Sequence, residues 1–78
     1  MLNEKHVVGI KQVTRALKKN EATKVFIAED AAQGYTEPIV LLCNEKGVPV
    51  EKVPTMQALG EMFKIEVGSS VAAYIKNI

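Results

Sequence analysis

Four cations crowd one short segment: Lys11, Arg15, Lys18 and Lys19. The same segment has helical apolar spacing. Ile10, Val13 and Leu17 stand at i, i+3 and i+7, with Ala16 beside them. Lys11, Arg15 and Lys18 stand at i, i+4 and i+7 on a different face. Like charges at that spacing repel one another. Gly9 directly precedes the segment, and a helix start presents free N–H groups and a positive dipole end to phosphate. Lys11 and Gln12 carry donors suited to the major-groove edge of guanine or adenine. On pattern alone two readings stay open. One is a solvated helix face, the commoner case. The other is a contact with nucleic acid.

A second candidate is Ile65-Glu66-Val67-Gly68-Ser69, which puts branched apolar residues into a connection. They either cap the core or form a shelf for an unstacked base, the form in which proteins usually read RNA sequence. The remaining reactive side chains have simpler readings. Cys43 lies on the apolar stripe of a helix and reads as a small core hydrophobe. Glu29-Asp30 lacks the further oxygen ligands of a cation site and reads as a solvated loop. Met56 and Met62 read as core and its margin, and Gly60 as a close-packing position in a helix. His6 sits near a terminus that should fray. No P-loop, dinucleotide fingerprint, HExxH pair or G-x-S-x-G elbow occurs. The expectation is therefore no enzyme, no catalytic residue, no metal and no cofactor. One histidine and one cysteine also fall short of the four ligands of a structural zinc site.

The elements that must position these residues fit one small domain over residues 1–78. With 47% hydrophobic and 24% charged residues the chain is globular, not disordered. Two Phe, two Tyr and no Trp predict an aliphatic core. No apolar run approaches the roughly 20 residues of a membrane span. Met1–His6 lacks the features of a secretory signal, and a single cysteine fits a reducing compartment, so a cytoplasmic protein is expected. The net charge of +1 conceals a polarity. Residues 1–24 carry six cations and two acids, whereas residues 25–78 carry four cations and seven acids. A basic end of this kind suits a polyanionic partner.

Short apolar runs alternate with helical periods. Val7-Val8 is expected to be a strand and Ile10 to Asn20 a helix. Lys24–Ala28 is a continuous apolar run, as in a strand covered on both faces. Glu29–Tyr35 reads as a loop. Thr36 reads as the cap of a helix with Pro38 in its first turn and Gly47 at its end. Ile39, Leu42 and Cys43 form its inner stripe. Val48–Val53 is a third strand, with Pro49 marking its start or an edge. Thr55 caps a third helix with Met56, Leu59 and Phe63 on one face. Val71–Ile75 is the last strand. This order, β-α-β-α-β-α-β, predicts an α/β fold, a three-layer α/β/α sandwich. The pattern does not tell whether the sheet is wholly parallel.

The pieces together resemble the ribosomal protein L7Ae family. Gly9-Ile10-Lys11-Gln12-Val13-Thr14-Arg15-Ala16-Leu17-Lys18 resembles its first RNA-contacting helix, and Lys24–Ala31 the strand and loop that follow. Leu59-Gly60, Ile65–Gly68 and Val71–Ala73 resemble its late helix, specificity loop and last strand. The likeness runs from about Lys5 to Ile75. It implies a central mixed four-stranded sheet and binding to kink-turns, the sharply bent RNA motifs with tandem sheared G·A pairs. Carried over by position, Gly9 permits a close turn. Lys11, Gln12 and Arg15 would contact the G·A pairs and nearby phosphate. Ile65, Glu66 and Val67, with Gly68, would shape the loop over a flipped-out base. Lys18 and Lys19 would add phosphate attraction.

Lys11 and Gln12 stand where the archaeal and eukaryotic pattern has Asn-Glu, and this variant resembles the small bacterial members and also the related ribosomal L30e type. The resemblance implies a monomeric ribosomal-type RNA-binding protein. Its partner would be a structured RNA, ribosomal or a riboswitch-type leader, with no role for DNA or membrane. The alternative is a protein-interaction module of the same fold in a translation-related complex, since fold alone does not set function.

Overall fold

The computed structural model describes residues 5–64 and 68–76. Seven elements follow one another: β1 (Lys5–Val8), α1 (Ile10–Lys18), β2 (Ala22–Ala28), α2 (Gln33–Lys46), β3 (Val50–Val53), α3 (Met56–Met62) and β4 (Val71–Ile75). The four strands form one mixed sheet in the order β1-β4-β2-β3. β4 pairs antiparallel with β1, placing Val8 opposite Ala72, and antiparallel with β2, placing Ile27 opposite Val71. β2 and β3 are parallel, with Ala28 opposite Val53. Pro49 ends up at the start of an edge strand, as its missing N–H requires. Its carbonyl still serves the ladder by accepting from Val25 N–H at 3.0 Å.

The layers follow from the two-residue period of the central strands. Val25 and Ile27 of β2, with Val71 and Ala73 of β4, face Val13 and Leu17 of α1 and Ile39 and Cys43 of α2. Phe26 and Ala28, with Ala72, face Leu59 of α3 and Phe63 just past its end. A strand buried on both faces needs an unbroken apolar run, which is what Val25–Ala28 supplies, with Lys24 at its half-exposed start. The sandwich expected from the pattern is the one observed.

The two cores differ in kind. The α1/α2 side is aliphatic, as expected. The α3 side is aromatic, because one seven-residue helix must cover it. Phe26 meets Phe63 at 5.6 Å and Tyr74 at 5.4 Å between ring centroids, both edge-to-face, the arrangement that ring quadrupoles favour. His6 joins this group, 4.8 Å from Phe63. It is held in β1 opposite Tyr74 and is not part of a frayed end.

Two helices close on the same device. Beyond α1, Glu21 N–H bonds the Ala16 carbonyl at 2.9 Å and Asn20 N–H bonds that of Leu17 at 3.0 Å, with Asn20 left-handed at φ 59°. Beyond α2, Val48 N–H bonds Cys43 and Gly47 is left-handed at φ 70°. Both are Schellman closures.

Several expectations need correction. α2 begins at Gln33, not after Thr36. The Ala32 carbonyl accepts from Tyr35 and Thr36 N–H, so the helix starts without any side-chain cap. Gly34 is therefore helical, and Thr36 is buried in the second turn instead of capping. Pro38 lies inside the helix. Its ring leaves the carbonyl of exposed Gly34 to water. Met56, expected in the core with Leu59 and Phe63, is 38% exposed because it starts the helix at the rim of the sheet. β3 begins at Val50 and β1 extends back to Lys5.

Cys43 is fully buried, and burial pushes its thiol up from an ordinary 9.0 to about 11. The unfolded thiol ionises first, so the native state holds more protons between those values and stability falls as pH rises through them. Urea titrations of wild type and Cys43→Ala from pH 8 to 11 are expected to show a steeper alkaline loss in the wild type. Parallel profiles would mean that the thiol does not contribute.

Candidate nucleic-acid interface

β1, β2 and β3 run in one direction and β4 in the other. The ends Val8, Ala28 and Val53 and the start Val71 consequently share one end of the sheet. All three helices begin there, each after a connection of one to four residues from a strand end. Their positive dipole ends face the same way, which biases that end of the molecule toward anions.

Gly9 makes the first corner. It adopts φ 100°, ψ 154°, which is glycine territory, and its N–H bonds the Val71 carbonyl at 3.0 Å. A Cβ there would meet nothing within 4 Å. The residue type is therefore set by backbone conformation, and no described residue crowds the Cβ position at this corner. α1 has no side-chain cap and no acid in its first turn. Its first internal bond runs from Val13 N–H to the Gly9 carbonyl at 3.0 Å, which leaves the earlier N–H groups facing outward.

Lys11, Gln12 and Arg15 are all exposed on α1. Together with Ile10, Thr14, Lys18 and Lys19, Lys11 and Arg15 border a shallow hollow of about 490 Å³. The cationic face expected from sequence is thus continuous. Lys18 and Lys19 occupy its far end, roughly 12 Å from Ile10 at 1.5 Å per residue. Among the described residues one ion pair forms, Lys24 Nζ to Glu51 Oε1 at 2.7 Å. The α1 cations take no part in it.

Gly68 lies on the other side of the same end. A Cβ on it would approach the Met56 carbonyl carbon and oxygen to 2.9 Å, so the close backbone contact requires glycine. Ser69 N–H bonds Met56 O at 3.2 Å, and the buried Ser69 hydroxyl donates to Val71 O at 2.7 Å. Ile65, Glu66 and Val67 lie outside the described residues. The structure therefore brings Gly9, Lys11, Gln12 and Gly68 to one end, with Arg15 a turn further along α1.

Sequence reading missed the residues that join this end together. Glu29-Asp30 is exposed as expected, but Asp30 is not merely solvated: its Oδ1 accepts from Met56 N–H at 2.8 Å. The two residues are 26 apart in sequence, and no local pattern signals a bond over that distance. Among the described residues no three His, Cys, Asp or Glu side chains gather to hold a metal ion. No helix there is long and apolar enough to cross a membrane.

The model of the ribosomal protein L7Ae/L30e/S12e/Gadd45 family matches residues 1–78. The chain belongs to this family. The L7Ae-type relative RNA-binding protein YbxF of Geobacillus stearothermophilus is 46% identical over 72 residues, covering 92% of this chain and 88% of that protein. An RNA-binding protein of Staphylococcus aureus (strain JH9) is 36% identical over 75 residues, covering 95% of this chain and 89% of its own. Among solved structures, the Giardia lamblia 15.5kD RNA binding protein superposes with a TM-score of 0.86 at 27% identity, over 92% of this chain and 61% of that one. A protein of unknown function from Bacillus halodurans C shares the fold, with a TM-score of 0.83 at 22% identity over 91% and 71% of the two chains.

Gly9→Ala places a side chain on a backbone conformation that only glycine adopts readily. It is expected to lower stability by about 1–3 kcal/mol in urea unfolding, with no steric clash to add to that. A loss under about 0.5 kcal/mol would mean that the corner relaxes freely.

Proposed function

We propose that this L7Ae-family chain is a non-enzymatic RNA-binding protein that recognises and stabilises kink-turns. The observation that carries the reading is the open, uncapped start of α1, flanked by exposed Lys11, Gln12 and Arg15. The relatives' printed names support RNA as the partner.

In this reading α1 enters the widened major groove at the sheared G·A pairs. Its free N–H groups and Lys11 meet phosphate, while Gln12 and Arg15 address base edges. Gly68 and residues 65–67 cover the flipped-out nucleotide. Lys18 and Lys19 attract phosphate without regard to sequence. The mechanism is a population shift: a free kink-turn exchanges between extended and bent forms, and a ligand that prefers the bent form traps it. A monomer acting in the cytoplasm suits this role, on ribosomal RNA or a riboswitch-type leader. The second reading, a protein-interaction module, draws on exposed Tyr35 and Leu41 of α2, at 66% and 63% exposure.

A gel-shift titration at fixed salt, with a kink-turn RNA and a control lacking its G·A pairs, separates the two readings. Tight binding to the first and a large loss on the control are expected. Equal weak binding to both would leave α1 with electrostatic attraction only and move the protein-docking reading to the front. Arg15→Ala is expected to weaken kink-turn binding by about 1–3 kcal/mol. Unchanged affinity across a salt series would remove Arg15 from the interface.

A further inference from the structure

The two loops beside α1 are tied together by one side chain that no RNA contact has been assigned to. Asp30 Oδ1 accepts from the Met56 backbone N–H at 2.8 Å. Met56 opens α3, and its own carbonyl accepts from Ser69 N–H at 3.2 Å. Its backbone also packs so closely on Gly68 that a Cβ there would lie 2.9 Å away. Met56 is therefore a hub, with the β2–α2 connection on one side and the α3–β4 connection on the other.

α3 does not need Asp30 in order to start. Thr55 Oγ1 already accepts from Ala58 N–H at 3.0 Å, an ordinary N-cap. The Asp30 bond determines instead where α3 starts relative to the end of β2. That end is itself held on both sides. Glu29 N–H bonds Val53 O at 2.7 Å, and Ala28 N–H bonds Ser70 O at 2.9 Å. Asp30 thus reaches from a braced strand end, and a hydrogen bond to a carboxylate is roughly twice as strong as a neutral one. At the other end of α3, Lys64 N–H bonds Glu61 O at 3.2 Å.

We propose that Asp30 is the positioning residue of the α3–β4 segment. By holding Met56 it sets Gly68 and Ser69, and with them the side of the interface that the RNA reading assigns to Gly68. The inference rests on the RNA reading above and needs no contact between Asp30 and RNA. Asp30→Asn keeps an acceptor oxygen at the same place, whereas Asp30→Ala removes it.

The test measures amide hydrogen exchange at Ser69 by NMR in the free full chain, alongside the two-RNA gel shift. In Asp30→Ala, Ser69 exchange is expected to quicken about tenfold while Val25 and Ile27 in β2 stay protected. Discrimination between kink-turn RNA and its control is expected to fall about tenfold. Asp30→Asn is expected to restore both. Unchanged Ser69 exchange in Asp30→Ala, or no recovery in Asp30→Asn, overturns the positioning role whatever the RNA titration shows. A quickened, Asn-rescued Ser69 with unchanged discrimination overturns its consequence for RNA. A wild type that binds both RNAs alike overturns the kink-turn reading instead, and Ser69 exchange still decides what Asp30 holds. If Asp30→Ala fails to fold, Gly68→Ala presses on the same Met56 backbone, and intact discrimination there overturns the proposal.

Discussion

β4 runs antiparallel between β1 and β2, and its backbone pairs with both. Much of the candidate interface depends on that insertion. It lets the first and last strands close the sheet side by side. It brings Val71 within bonding distance of Gly9, so the start of α1 and the α3–β4 connection become neighbours. It also leaves β1, β2 and β3 pointing the same way, so that all three helices start at one end. A wholly parallel arrangement of these strands would have carried the return from α3 to β4 to the opposite end of the sheet.

Electrostatics at that end comes from position more than from net charge. A formal charge of +1 is too small to draw a polyanion by itself. The N-terminal third of the chain, however, is strongly cationic, and α1 holds much of that charge on an exposed face with no described acid paired to it. Self-repulsion along the helix is a modest cost. Burial of Val13, Ala16 and Leu17 against the sheet offsets it. The helix is therefore held by its core face, which leaves its outer face free of any structural duty.

The same end shows local features that stability alone would not favour. Gly9 occupies a conformation that carries a large entropy loss on ordering. α1 and α2 both begin without a side-chain cap; at extended Ala32 a Ser or Asp would stabilise the start of α2 by about 1 kcal/mol, whereas the positive φ of Gly9 bars such a cap at α1. α3 differs, with Thr55 and Asp30 both serving its first turn. Open donors at α1 and a doubly held start at α3 suit an end that presents one element to a ligand and keeps another fixed.

Much of the fold was legible in the sequence. The apolar run of Lys24–Ala28 declared a strand buried on both faces, and the stripe of α1 declared both its packed side and its cationic side. Gly47 and Asn20 marked helix ends because left-handed backbone leaves so few residue types available. Where local signals misled, packing had overruled them. Gly34 looked like punctuation and Thr36 like a cap, yet the Ala32 carbonyl starts α2 earlier and Thr36 is buried. Of the candidate site, the sequence by itself determined Gly9, Lys11, Gln12 and Arg15 as a set, because one helix displays them at a fixed spacing. Only the tertiary structure decided that Gly68 lies at the same end of the sheet and that Asp30 holds Met56. Those contacts join residues far apart in the chain, and their distances follow from the order of strands in the sheet, which no local periodicity encodes.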